Sequence, residues 1–108
     1  MNFETDVILA SREKPVLAVF SASWCGPCRM LKQFLSANTR EDHTIVYIDV
    51  DKHQDLAMQY NIRSVPTMYL FNIGKAVAGL NGGVSGVQLN NWLDINIPVP
   101  FTEIKKDS

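Results

Sequence analysis

Hydrophobic and polar positions along this chain change period several times, and each change marks an element. Val16-Leu17-Ala18-Val19-Phe20 is apolar at consecutive positions. Both alternating faces are therefore apolar, the pattern of a strand covered on both sides in a mainly parallel sheet. From Pro27 to about Ala37 the period lengthens. Met30, Leu31, Phe34 and Leu35 share one helical face, and Arg29, Lys32 and Gln33 take the other. Proline suits a first helical turn, where its missing N–H is not needed. Asn38 to Asp42 is a polar connection, and Thr44 to Val50 is strand-like again. Strand, helix, strand at this spacing is a βαβ unit, with a right-handed crossover expected.

The flanks extend the pattern. Val7, Ile8 and Leu9 predict a short helix within residues 4–11. Asp51 and Gln54 have capping-box spacing for a helix lined by Leu56, Ala57 and Tyr60, and Asn61 suits the left-handed position that ends it. Thr67 to Phe71 predicts a third strand, Asn72-Ile73-Gly74-Lys75 a turn, and Ala76 to Leu80 its hairpin partner. Asn81-Gly82-Gly83 reads as a loop. Ser85 and Gln88 repeat the capping-box spacing before Leu89, Trp92 and Leu93, and Pro98-Val99-Pro100 should stop that last helix. The order α-β-α-β-α-β-β-α predicts an α/β sandwich, with helices on both faces of a mixed sheet. One domain over 1–97 and a polar tail over 98–108 are expected.

Composition narrows the class. With 108 residues, 46% hydrophobic and 19% charged, the chain suits one globular domain. A net charge of −1 without a basic block gives no support to nucleic-acid binding or a membrane-surface role. No apolar run reaches the roughly 20 residues of a spanning helix. The opening Met1-Asn2-Phe3-Glu4-Thr5-Asp6 is acidic where a secretory leader would be basic, so a cytoplasmic location is the expectation. In that reducing compartment a cysteine pair is more often redox-active or metal-binding than a structural staple.

The only two cysteines stand in Trp24-Cys25-Gly26-Pro27-Cys28, where the first strand gives way to the first long helix. Thiolate, not thiol, attacks a disulfide. Cys25 precedes a helix whose free N–H groups and dipole favour negative charge, and Cys28 lies one turn on. Cys25, expected to be exposed, is the candidate attacking nucleophile. Cys28, on the apolar face with Leu31 and Leu35, is the candidate resolving thiol. Gly26 permits a tight approach and Pro27 stiffens it. Zinc is the main rival, but it wants four ligands, and the remaining candidates His43 and His53 fall on separate elements. A structural pair is a further rival, but so short a loop constrains little chain. Met30, Met58 and Met68 read as core gap-fillers, Asp49 and Asp51 as strand-end and cap residues, and neither histidine is assigned a role.

Trp-Cys-Gly-Pro-Cys after a buried strand resembles the active site of the thioredoxin family. Phe20, Ala22, Arg29 and Met30 fit the pattern around it, and Ile62-Arg63-Ser64-Val65-Pro66-Thr67 is similar to the family's cis-proline loop. Leu70-Phe71, Gly74, Gly82, Ser85 and Gln88 to Leu93 extend the likeness over roughly residues 3–97. The resemblance implies a three-layer α/β/α sandwich and a cis Val65-Pro66 bond beside Cys25. It further implies a groove formed by Trp24, Gly26, Pro27, Val65, Pro66, Gly82 and Gly83 that holds an extended substrate segment. Trp24 should be a surface contact rather than core packing. The implied activity is reduction of protein disulfides by a monomer, recharged by a thioredoxin-reductase-like electron donor and holding no bound cofactor. A disulfide oxidase or isomerase, or a binding module or assembly subunit with an incidental dithiol, are the competing expectations.

Departures from the family pattern are equally specific. The usual buried Asp six residues before the first cysteine is Val19, and the Lys that pairs with it is Tyr47. The usual Trp between strand and motif is Ser21, and the helix-kinking Pro is Gln33. The chain opens near the family's first helix, so four strands are expected rather than five.

Overall fold

The computed structural model describes residues 1–97. The stop at Pro98-Val99-Pro100 and the polar tail lie outside the described residues. The elements are β1 (Val16–Ser21), α1 (Gly26–Ala37), β2 (Thr44–Asp49), α2 (Gln54–Gln59), β3 (Thr67–Asn72), β4 (Lys75–Asn81) and α3 (Gly86–Asn96). The four strands form one sheet in the order β2-β1-β3-β4. β1 is parallel to β2 and antiparallel to β3, and β3 is antiparallel to β4. The connections dictate this mixture: a helical crossover returns the chain parallel, whereas a tight turn reverses it.

β1 divides the core. Its side chains alternate, and both sets are buried. Leu17 and Val19 pack with Leu31 and Leu35 of α1 and Leu89 and Leu93 of α3. Val16, Ala18 and Phe20 pack on the other face with Val7, Ile48 and Phe71, flanked by Leu56 and Tyr60. A strand apolar on both faces is thus buried between two layers of helix, as its composition predicts. The Ser85–Gln88 capping box is formed in both directions at the start of α3. Asn61 takes φ 54° after α2.

Three local expectations are corrected. Residues 4–11 do not form an ordinary short helix: Glu4–Leu9 is wound as a π-helix and Ala10–Arg12 as a 3₁₀ turn. This path buries Val7 completely and delivers Ser11 to the β3–β4 turn. There Ser11 Oγ donates to the Ile8 carbonyl (2.7 Å) and accepts from the Gly74 N–H (2.8 Å). The Ser11 carbonyl accepts from Ile73 N–H at 3.0 Å. Ile73 and Gly74 both have positive φ (50° and 79°), which matches the twist of a two-residue hairpin turn. A β-branched residue rarely enters that region, and the Ser11 clamp holds it there. Second, Asp51 does not cap α2. The N-cap is His53, with no side-chain capping bond. Third, Met30 and Met58 are not core residues: they are 72% and 82% exposed, whereas Met68 is fully buried. Met30 lies one position off the buried Leu31 of α1, and Met58 one position off the half-buried Ala57 of α2, so flexible sulfur chains stand on the surface.

His43, directly after the polar connection, is buried, with Nδ1 at 3.0 Å from Asp42 Oδ1. Arg40 bonds both Asp42 (2.7 Å) and Asp94 of α3 (2.9 Å), tying the β2 entrance to the last helix. The Arg40 hydrogen bond draws the Asp42 carboxyl down from 3.8 to about 2.

Two outcomes follow from these ties. Ser11→Ala leaves the Gly74 N–H without its partner and should cost about 1–3 kcal/mol, read as a lower midpoint in urea unfolding. Asp42 is depressed in the folded state, so its contribution is present above its ordinary range. It is lost as pH falls from about 3.8 towards 2. The stability gap between the wild type and Asp42→Asn should therefore narrow across that acid window, and a pH series of denaturation curves checks it.

Candidate active site

β1 ends at Ser21, and a short turn closed by Cys25 N–H to the Ala22 carbonyl (3.2 Å) delivers the chain to α1. Cys25 is the N-cap residue of α1 in extended conformation. Its Sγ accepts the Cys28 N–H at 3.2 Å. A sulfur here takes the place that a Ser or Asp oxygen fills at an ordinary helix start, and it meets the positive end of the helix dipole. Pro27 falls in the first turn, where no N–H is required. Arg29 Nη1 donates to the Ser23 carbonyl at 3.1 Å, fastening the helix start to the preceding turn.

Cys25 and Cys28 are joined in a disulfide, with Cα atoms 5.3 Å apart. Both are buried, at 4% and 5% exposure, so the expectation of an exposed Cys25 is corrected. Ala22, Val50 and Val65 cover the pair from the loops that converge on it. The Val65 carbonyl oxygen lies 3.7 Å from Cys25 Sγ.

The Val65-Pro66 peptide is cis. Thr67 Oγ1 donates to the Ser64 carbonyl at 2.7 Å, and Gly82 N–H donates to the Pro66 carbonyl at 2.8 Å. Gly82 takes φ 78°, a backbone geometry that side chains rarely adopt, and so brings the glycine loop against Pro66. The residues expected to form one groove are shared between two clefts. One, of about 320 Å³, is lined by Pro27, Pro66, Gly82 and Gly83 with Met30 and Phe34. The other, of about 350 Å³, is lined by Trp24 and Val65 with Ala57, Met58 and Ile62. Gly26 lines neither. Trp24 is 67% exposed, and its Nε1–H donates to Asp51 Oδ2 at 3.0 Å, which ties the indole to the loop after β2. Met30 and Met58 were missed as cleft residues because helical spacing alone assigns them to the core.

Among the described residues no group of three or more His, Cys, Asp and Glu side chains could hold a metal ion.

The thioredoxin family profile matches residues 1–95. The chain belongs to the thioredoxin family. It is 41% identical over 96 residues to a thioredoxin of Acidithiobacillus ferridurans, covering 86% of this chain and 87% of that one. A thioredoxin-like protein of Synechocystis sp. is 40% identical over 91 residues, covering 82% and 87%. A point mutant of thioredoxin from Halobacterium salinarum superposes with a TM-score of 0.78 at 33% identity, covering 93% and 88%. With the Cys25–Cys28 disulfide, membership makes this chain a thiol–disulfide oxidoreductase of the thioredoxin type.

The family's buried acid is absent from its usual place. Val19 is 1% exposed and pairs in register with Tyr47, so two apolar or aromatic side chains meet where a charge pair would stand. Burial raises the Tyr47 phenol above its ordinary range. Lys32 Nζ lies 5.0 Å from the Tyr47 ring centroid, a cation–π contact across the mouth of this region. Val19→Asp should destabilise the protein by several kcal/mol, because a carboxylate in the closed core has no cation to answer it. Its urea midpoint should recover as pH falls and the acid is protonated, and a midpoint equal to wild type would show that Val19 is not enclosed.

Proposed function

We propose that this chain reduces disulfides in protein substrates, with Cys25 as the attacking thiolate and Cys28 as the resolving thiol. The Cys28 N–H bound to Cys25 Sγ carries the reading. Burial does not separate the two sulfurs, but only Cys25 receives a helix N–H. That environment favours the thiolate at Cys25 after reduction. The thiolate attacks a substrate disulfide, forming a Cys25–substrate mixed disulfide and expelling one substrate thiolate. Cys28 then attacks Cys25 Sγ, the Cys25–Cys28 bond closes, and the second substrate thiolate leaves. Two electrons pass to the substrate, and no bound cofactor is needed.

Trp24, Gly26, Pro27, Val65, Pro66, Gly82 and Gly83 are the proposed substrate-contact residues. Apolar clefts on both sides of the pair suit an extended segment held by shape and backbone contacts more than by side-chain recognition. A thioredoxin-reductase-like protein is the proposed electron donor, and a reducing, cytoplasmic setting and a monomer complete the reading. No helix among the described residues is long and apolar enough to cross a membrane.

Reduction of insulin disulfides driven by dithiothreitol tests this directly. The wild type should turn over, Cys25→Ser should be inactive, and Cys28→Ser should accumulate a mixed disulfide on Cys25 that a non-reducing gel resolves. Trapping through Cys28 instead would reverse the roles. A folded, reducible wild type without turnover would favour a narrow dedicated substrate or a binding module. Net oxidation of reduced substrates in a glutathione buffer would identify an oxidase.

A further inference from the structure

Resting on that reading, the resolving step poses a chemical problem. Cys28 must lose its proton before it can attack Cys25 Sγ, and the residue is 5% exposed. On the core side it faces no acid, because Val19 is apolar and buried. The apolar cleft that holds Pro27 and Pro66 is not lined by Cys28.

A separate cleft of about 300 Å³ does reach Cys28. It opens at the C-terminal ends of β1 and β2, against the first turns of α1. The alternation of the strands builds it. Tyr47 and Asp49 project from β2 to the α1 side, next to Val19 and Ser21 of β1, with which they pair in register. From α1, Arg29 and Lys32 complete the lining, one and four residues after Cys28. The groups facing the thiol region are therefore Ser21 and Ser23 from the β1 end, Tyr47 and Asp49 from β2, and Arg29 and Lys32 from α1. Most of them cannot take a proton. Serine hydroxyls are neutral, and an ammonium or guanidinium offers donors only. The Tyr47 phenol, raised by burial, keeps its proton near neutral pH. Asp49 is the single carboxylate on the lining. Its Oδ1 accepts the Asp51 N–H at 2.9 Å, which ties the carboxylate to the turn after β2. A space of this size holds several waters, each displacing about 30 Å³.

We propose that Asp49 is the proton acceptor for the resolving thiol, reached from Cys28 through water in this cleft. In the mixed disulfide the Cys28 S–H proton passes to the Asp49 carboxylate. The Cys28 thiolate attacks Cys25 Sγ, the intramolecular S–S bond forms and the bond to the substrate sulfur breaks. The expelled thiolate is protonated from solvent, and Asp49 returns its proton to solvent. No further oxidant or reductant is required. The carboxylate thus stands at the open, solvated end of the sheet instead of in the core.

Stopped-flow reaction of the reduced protein with one equivalent of an aromatic disulfide that releases a coloured thiolate separates the steps. Attack by Cys25 releases the first thiolate and resolution by Cys28 the second. Asn in place of Asp49 can still accept the Asp51 N–H, so Asp49→Asn preserves the turn. It should leave the first release unchanged. It should slow the second about tenfold near pH 7, less than the roughly hundredfold or more that a base in direct contact supplies. The deficit should shrink as pH rises and hydroxide takes over deprotonation. Asp49→Glu, which keeps a carboxylate, should stay close to wild type. Equal second-step rates in wild type and Asp49→Asn, a deficit constant at every pH, or Asp49→Glu as slow as Asp49→Asn would each overturn the assignment. If the wild type releases one thiolate and never the second, the dithiol cycle itself fails, a result distinct from any of these.

Discussion

The hydrogen bond from the Cys28 N–H to Cys25 Sγ is the contact on which the rest of the molecule converges. It is at once a helix cap and a chemical bias. A helix start needs acceptors for its free N–H groups, and a nucleophilic sulfur needs donors that favour its charged form. One geometry meets both needs only if the cysteine arrives extended while the next residues are already helical. The buried strand β1 sets the arrival, Pro27 sets the first turn, and the Arg29 bond to the Ser23 carbonyl closes the joint.

Everything around that joint is held by elements distant in sequence. The Val65-Pro66 loop is pinned by Thr67 to Ser64 on one side and by the Gly82 N–H on the other. Trp24 is steadied by Asp51. These bonds put polar backbone and an indole at the rim, while Ala22, Val50 and Val65 close over the sulfurs. A pair so covered is reached from the clefts beside it, and the chemistry of each cleft differs. The two that hold Pro66 and Trp24 are walled mainly by apolar side chains, whereas the one behind Cys28 carries Asp49 and two cations.

The loss of a buried Asp and its Lys partner together is a physically coherent change. Either charge alone would be uncompensated in a low-dielectric interior, whereas Val19 beside Tyr47 packs without such a cost. Tyr47 also keeps a cation nearby, since Lys32 stands over its ring rather than within the core. The same economy appears at Arg40, whose bonds to Asp42 and Asp94 stay near the surface, where water shares the load.

By itself the sequence determined the order of elements, the doubly covered strand β1, the capping box at Ser85 and the place of the Cys25–Cys28 pair at the start of α1. Each of these depends on residues within one or two turns of each other, where periodicity and spacing act directly. Its likeness to a known family added the cis Val65-Pro66 bond, which no local pattern signals. Tertiary structure alone decided which residues meet from afar. Ser11 reaches across to Gly74, Asp51 leaves its capping role for Trp24, and Met30 and Met58 turn outward beside the active pair. Cys25 proved buried because Ala22, Val50 and Val65 from separate loops close on it. Local spacing specifies where a side chain points along its own element. What it then touches is set by the packing of other elements against it, and that information is shared among positions far apart in the chain.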